Sequence, residues 1–173
     1  MMKGYTTRQK LMAAVLLASV AGFCVSCGPS TGPEYCEAAQ NDAVDGNYEA
    51  AIKNYRRALM LETDPVQKGK ISCEMGLCLY ELQQPARAIE ALEQGLAMYP
   101  DYSTAYGVLG ASYYNLDPVT YRDKAIENLR KFIEMEPESR YVVNFQAIID
   151  ELEEPPSAAR PDPSPSTDRG EIR

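Results

Sequence analysis

One pattern recurs three times in this chain, and it constrains the fold more than any other feature. The pairs Ala51-Ile52, Ala88-Ile89 and Ala125-Ile126 start at residues 51, 88 and 125, a spacing of 37 both times. Each pair opens a segment with one apolar face at intervals of three and four. The faces are Tyr55, Ala58, Leu59 and Leu61; then Leu92, Gly95, Leu96 and Met98; then Leu129, Phe132, Ile133 and Met135. That period predicts an amphipathic helix in each copy. A further helix is expected ahead of each one, over about Pro33 to Val44, Lys70 to Leu82 and Ser103 to Leu116. Two short helices cannot bury their apolar faces alone. Copies of such a unit stack and share one core.

Small residues fall at matching places in the copies: Ala39, Gly76 and Gly110 in the leading helices, and Ala51, Ala88 and Ala125 in the following ones. A small side chain at a helix crossing lets two backbones approach closely. That use explains a glycine kept inside a helix, where it costs about 1 kcal/mol relative to alanine. The third copy reads Tyr106, Leu109-Gly110, Tyr113, Ala125 and Pro137, with Phe132 where a small residue is usual. The second has Met75-Gly76, Leu79, Ala88, Gly95 and Pro100. The first keeps Tyr48, Ala51, Tyr55 and Ala58 but has a degenerate start at Tyr35, Ala38-Ala39 and Asp42. These residues resemble the tetratricopeptide repeat (TPR), over about residues 34–153.

The resemblance implies an all-α fold, a right-handed superhelical stack of three TPR-like helical hairpins plus a C-terminal capping helix. Residues 34–68, 69–102 and 103–137 are the three repeats, and 138–154 the cap. On the cap, Tyr141, Val142, Phe145, Ile148, Ile149 and Leu152 make an apolar face. The repeats exceed the family's usual length. The surplus is expected after the second helix of repeat one, at Thr63–Lys68, and inside repeat three at Asp117-Pro118-Val119. From Pro155 on, five prolines among Ser, Asp and Arg cannot build a core, so 155–173 is expected to be a disordered tail.

Residues 1–26 have the form of an export signal: Lys3, Arg8 and Lys10, then an apolar run from Leu11 to Phe23, then small residues. The run is shorter than the ~20 residues that span a bilayer comfortably. Val25-Ser26-Cys27 resembles a bacterial lipoprotein processing site, although Cys24 stands where that family usually has Leu. The resemblance implies lipidation at Cys27 by palmitate-type acyl chains. Several chains on one cysteine anchor firmly where a single chain does not. Residues 27–33, with Gly28, Pro29, Gly32 and Pro33, read as a tether.

Composition excludes several functions. Histidine is absent, which removes the commonest general base and most zinc sites. The net charge of −8 becomes −11 once the three basic residues of 1–26 are removed, so nucleic acid is not an expected partner. No nucleophile with a neighbouring base, metal cluster or phosphate loop is visible; the chain is expected to be no enzyme and to need no cofactor. Glu49, Glu62, Glu74 and Glu90 read as solvated surface charge. Cys36 and Cys73 take equivalent places on neighbouring helices. Such places lie farther apart than the ~7 Å limit for a disulfide, so reduced thiols are expected.

In the repeat family the leading helices line a concave groove that holds a peptide or a partner helix. Carried over residue by residue, that groove comprises Cys36, Gln40, Ala43 and Val44 from repeat one. Repeat two gives Lys70, Cys73, Leu77, Tyr80 and Glu81, and repeat three Thr104, Gly107, Ala111, Tyr114 and Asn115. Two tyrosines suit an interface. The row of Lys, Arg and Asn that would clamp a C-terminal carboxylate is missing. Alternatively, Tyr80 and Tyr114 finish a small core, or the C-terminal helix folds partly over the groove. The expected role is a membrane-anchored scaffold or adaptor on the periplasmic side of a bacterial outer membrane, binding another envelope protein. The alternative is a self-associating structural lipoprotein, a homo-oligomer.

Overall fold

The computed structural model describes residues 28–154. Seven helices run in order: α1 Gly32–Val44, α2 Tyr48–Leu61, α3 Pro65–Glu81, α4 Pro85–Met98, α5 Ser103–Leu116, α6 Arg122–Met135 and α7 Val142–Glu153. The leader, Cys27 and the tail from residue 155 lie outside the described residues.

Local chemistry sets the helix ends. Thr31 caps α1: Glu34 N–H donates to Thr31 Oγ1 at 3.4 Å, and Thr31 N–H returns a bond to the Glu34 carboxylate at 3.1 Å. Ser30 donates to the same carboxylate from its N–H at 2.8 Å and its hydroxyl at 2.9 Å. These bonds, that from the Ser30 N–H first, hold Glu34 below the usual carboxylate range. Thr31, Gly32 and Pro33 therefore belong to the start of the fold rather than to a tether.

The surplus residues of the first repeat also go into helix. Asp64 accepts from Val66 N–H at 3.2 Å, and Pro65, with its φ preset, begins α3. α3 thus starts ahead of Lys70 and reaches 17 residues. In the third repeat the surplus lies between α5 and α6. There Asp117 accepts from Val119 N–H, Thr120 N–H and the Thr120 hydroxyl at 3.0, 3.1 and 2.6 Å, closing the turn.

The pairs α1·α2, α3·α4 and α5·α6 form three hairpins. α2·α3 and α4·α5 join neighbouring hairpins, and α3 touches α5. The result is a TPR-like superhelical stack. Leu92 and Leu129 are fully buried. Gly76 and Gly110 lie over them: a Cβ at Gly76 would come 2.6 Å from Leu92 Cγ, and one at Gly110 2.7 Å from Leu129 Cγ. The close crossings inferred from small residues are therefore real contacts.

α7 closes the stack. Ile149 is fully buried and Phe145 meets Phe132 edge to face, ring centroids 5.0 Å apart. Arg122 Nε donates to the Leu152 carbonyl, and Arg130 pairs with Glu153. Both arginines reach from α6 to the C-terminal end of α7, where a helix leaves carbonyls unpaired and favours positive charge. Among the described residues no helix is long and apolar enough to cross a membrane.

Candidate functional site

The groove residues inferred from sequence do not form one uniform surface. Cys36 and Lys70 are half-buried and Gln40 is exposed, and these three line one recess of about 240 Å³ between the first two hairpins. Leu77 and Tyr80 are half-buried on α3, with Glu81 exposed beside them. Thr104 and Asn115 are exposed at opposite ends of α5, and Val44, at 86% exposure, projects from the end of α1.

Cys73, Gly107 and Ala111 are buried. Cys73 faces α4, where its Sγ would lie 2.5 Å from a Cβ at Gly95, so it packs a hairpin and does not line a groove. Gly107 lies under Phe145: a Cβ there would come 2.8 Å from Phe145 Cε2. Tyr114 donates its hydroxyl to both Glu151 oxygens at 3.0 Å. α7 therefore covers part of the α5 surface. Asn115 Nδ2 donates to the Tyr80 hydroxyl at 3.5 Å, which brings the two neighbouring hairpins together.

The recess is richer than the sequence suggested. Beyond Cys36, Gln40 and Lys70 it takes Tyr55 from α2, Ile71 and Glu74 from α3, and Tyr99 and Tyr102 from the α4–α5 connection. Tyr55 is 1% exposed, and its hydroxyl has no hydrogen-bond partner among the described residues. Burial, and then the charge of Glu74, push this phenol above its ordinary range. Tyr102 donates its hydroxyl to Glu74 Oε1 at 2.6 Å; burial and then this bond push Tyr102 up as well. Lys70 Nζ stands 4.9 Å from the centre of the Tyr99 ring, a cation–π distance. Glu74, taken from sequence as solvated charge, is thus a half-buried acceptor inside the site. Glu62 likewise accepts from Thr63 and Asp64 N–H at 2.7 and 2.9 Å.

Sequence missed Tyr55 because only leading-helix positions were carried over, and Tyr55 is on a following helix. Tyr99 and Tyr102 lie in a connection that no period marks. The one available signal was their density: Tyr99, Tyr102 and Tyr106 cluster at the boundary between repeats two and three.

A wider depression of about 760 Å³ runs along α6, from Tyr106 to Glu153, between charges of both signs such as Arg122, Glu127, Arg130 and Glu134. Among the described residues it has no unpartnered buried polar side-chain atom. The described cysteines Cys36, Cys73 and Cys78 are thiols. Burial pushes Cys73 up to about 12 and Cys78 to about 11, with Glu74 adding to both. They are therefore poor nucleophiles at neutral pH. Among the described residues no group of three or more His, Cys, Asp or Glu is placed to hold a metal ion.

The tetratricopeptide repeat family matches residues 70–102, which hold most of α3 and all of α4. Photosystem I assembly protein Ycf3 from Acaryochloris marina (strain MBIC 11017) is 35% identical over 68 residues, which are 39% of this chain and 41% of that protein. The same-named protein from Synechococcus sp. (strain CC9902) is 39% identical over 62 residues, 36% of this chain and 34% of that one. The chain therefore matches less than half the length of either relative. Among solved structures, the first TPR of Spaghetti (RPAP3) bound to the HSP90 peptide SRMEEVD superposes with a TM-score of 0.62 at 20% identity. That match covers 72% of this chain and 97% of the other. These likenesses show a TPR helical-hairpin fold.

Proposed function

We propose that this chain is a non-enzymatic adaptor, anchored to a bacterial envelope membrane through Cys27, whose leading-helix face holds a segment of another envelope protein. TPR-fold domains commonly bind peptides and proteins, and the HSP90 peptide in the Spaghetti structure is one such ligand. The observation that carries the reading is the recess between the first two hairpins. It combines aromatic walls, one cation, one carboxylate and an unpartnered buried hydroxyl. A face built only to finish a core would leave no such group without a partner. Anchoring rests on the basic head, short apolar run and Ser26-Cys27 of the leader. Placement at the outer membrane's periplasmic side rests on family analogy and on Gly28 in place of an aspartate retention signal. A relative named as an assembly protein fits a role in bringing other proteins together.

The test is a crosslinked pull-down of tagged full-length protein from native cells in mild detergent, read by mass spectrometry. One stoichiometric envelope partner is expected, and it should be lost on changing Tyr80 and Tyr114 to Ala with helicity intact. Crosslinks only between copies of this chain would replace the adaptor with a self-associating module. Cys27→Ser should move the protein from the membrane to the soluble fraction; unchanged fractionation would remove the lipid anchor from the proposal.

A further inference from the structure

The recess that joins the first two hairpins has a chemistry more specific than peptide binding in general, and the inference drawn from it rests on the groove reading above. Its groups are complementary in pairs. Lys70 offers N–H donors and makes no ion pair among the described residues. Glu74 has one oxygen taken by Tyr102 and a second that accepts no bond from the described residues. Tyr55 has an O–H proton and lone pairs with no partner among those residues, although the side chain is 1% exposed. Leaving a buried hydroxyl unpaired is unfavourable, and such groups in folded proteins normally have a partner.

We infer that this recess is a pocket for one carboxamide side chain, Asn or Gln, of a partner peptide. The charge arrangement decides the class. Lys70 and Glu74 cancel, so a guest carboxylate would meet Glu74 as well as Lys70, and a guest ammonium would meet Lys70 as well as Glu74. A neutral guest with an acceptor and a donor side by side satisfies both. Among side chains the carboxamide has that form: its carbonyl accepts from Lys70 or the Tyr55 hydroxyl, and its NH₂ donates to the open Glu74 oxygen. The rings of Tyr99 and Tyr102 and the side chain of Ile71 give the methylene stem an apolar wall. A space of about 240 Å³ accommodates one such side chain. A water on Tyr55 would pair the hydroxyl but would use neither the aromatic walls nor the cancelled charges.

The test is selection of a displayed random peptide library on the purified full-length chain, repeated on Tyr55→Phe and Glu74→Gln. The wild-type chain should enrich Asn or Gln at one position. Tyr55→Phe should weaken the selected peptide by about tenfold, the worth of one directional hydrogen bond. Its thermal midpoint should not fall, because the hydroxyl removed has no partner inside the fold. Glu74→Gln leaves Lys70 uncancelled and should shift the preference at that position toward Asp or Glu. A lower midpoint for Tyr55→Phe with unchanged binding would mark the hydroxyl as structural and overturn the inference. Selected peptides that depend on Tyr80 and Tyr114 but show no carboxamide preference would overturn the pocket and leave the groove standing. Selection of no peptide would overturn both.

Discussion

Gly95→Ala tests the packing argument where two helices meet most closely. The site lies on α4 opposite α3, and the pairing of these helices is the most extensive in the molecule. An added Cβ would stand 2.5 Å from Cys73 Sγ, 2.8 Å from Cys73 N and 2.8 Å from the Gly69 carbonyl oxygen. Two of those three atoms are backbone and cannot rotate away. The third belongs to a side chain that is 0% exposed and has no space to move into. Two effects then compete. Replacing a helical glycine by alanine gains about 1 kcal/mol in helix propensity. Forcing a methyl into a close-packed contact costs about 1–3 kcal/mol, and more where the backbone must separate. With backbone on both sides the steric term sits at the upper end, so the net effect is a loss of about 2 kcal/mol, or roughly 6–10 °C in thermal midpoint for a domain of this size. Gly32→Ala is the control. Its Cβ would meet Leu61 Cβ at 3.6 Å, an ordinary contact, so stability should stay within about 0.5 kcal/mol. Urea unfolding followed by far-ultraviolet circular dichroism measures both. Gly95→Ala as stable as wild type, or no less stable than Gly32→Ala, would refute the claim that this crossing admits only glycine.

Phe145→Ala should undock α7, because Phe145 is its aromatic contact to Phe132 and its cover over Gly107; a half-buried Phe removed here costs about 2 kcal/mol. Hydrogen exchange should quicken in α7 while α3 and α4 keep their protection, and a uniform loss across all helices would contradict a separately docked cap. Stability should also fall at alkaline pH. Burial raises Cys73 to about 12 and Cys78 to about 11 from an ordinary 9.0, so the unfolded chain loses these protons first. The stability they contribute is intact below pH 9 and is lost as pH rises toward 12; a flat profile over that window would refute their burial. In the native state a thiol reagent should modify half-buried Cys36 well before Cys73 and Cys78, which comparing reaction rates in native and unfolded protein will check.

Some of the molecule was legible because its causes are local. Helical period marked all seven helices, and Ser103 to Leu116 was placed to the residue. Matching small residues marked the crossings at Gly76 and Gly110, because a missing side chain at a fixed place in a repeat signals a near neighbour. Less local features were misplaced. The residues after Thr63 read as a loop because no apolar period begins there, yet the Asp64 cap and Pro65 add them to α3. Cys73 was assigned to a groove by its place in the repeat, yet it turns toward Gly95, which lies 22 residues away in sequence and beside it in space.

The sequence by itself determined the number of hairpins, their order and the close contacts within each, since all of these follow from periodicity and side-chain size along a continuous stretch. Tertiary structure alone decided which surfaces stay open. That outcome depends on how a helix of one hairpin sits over the next. α7 covers Gly107 and engages Tyr114, while α1, α3 and the α4–α5 connection leave a recess around Tyr55. The Tyr55 hydroxyl lies on a following helix whose pattern marks it only as core. Its lack of a partner is a property of the assembled neighbours, because a hydrogen bond depends on distances between atoms that the order of residues does not record.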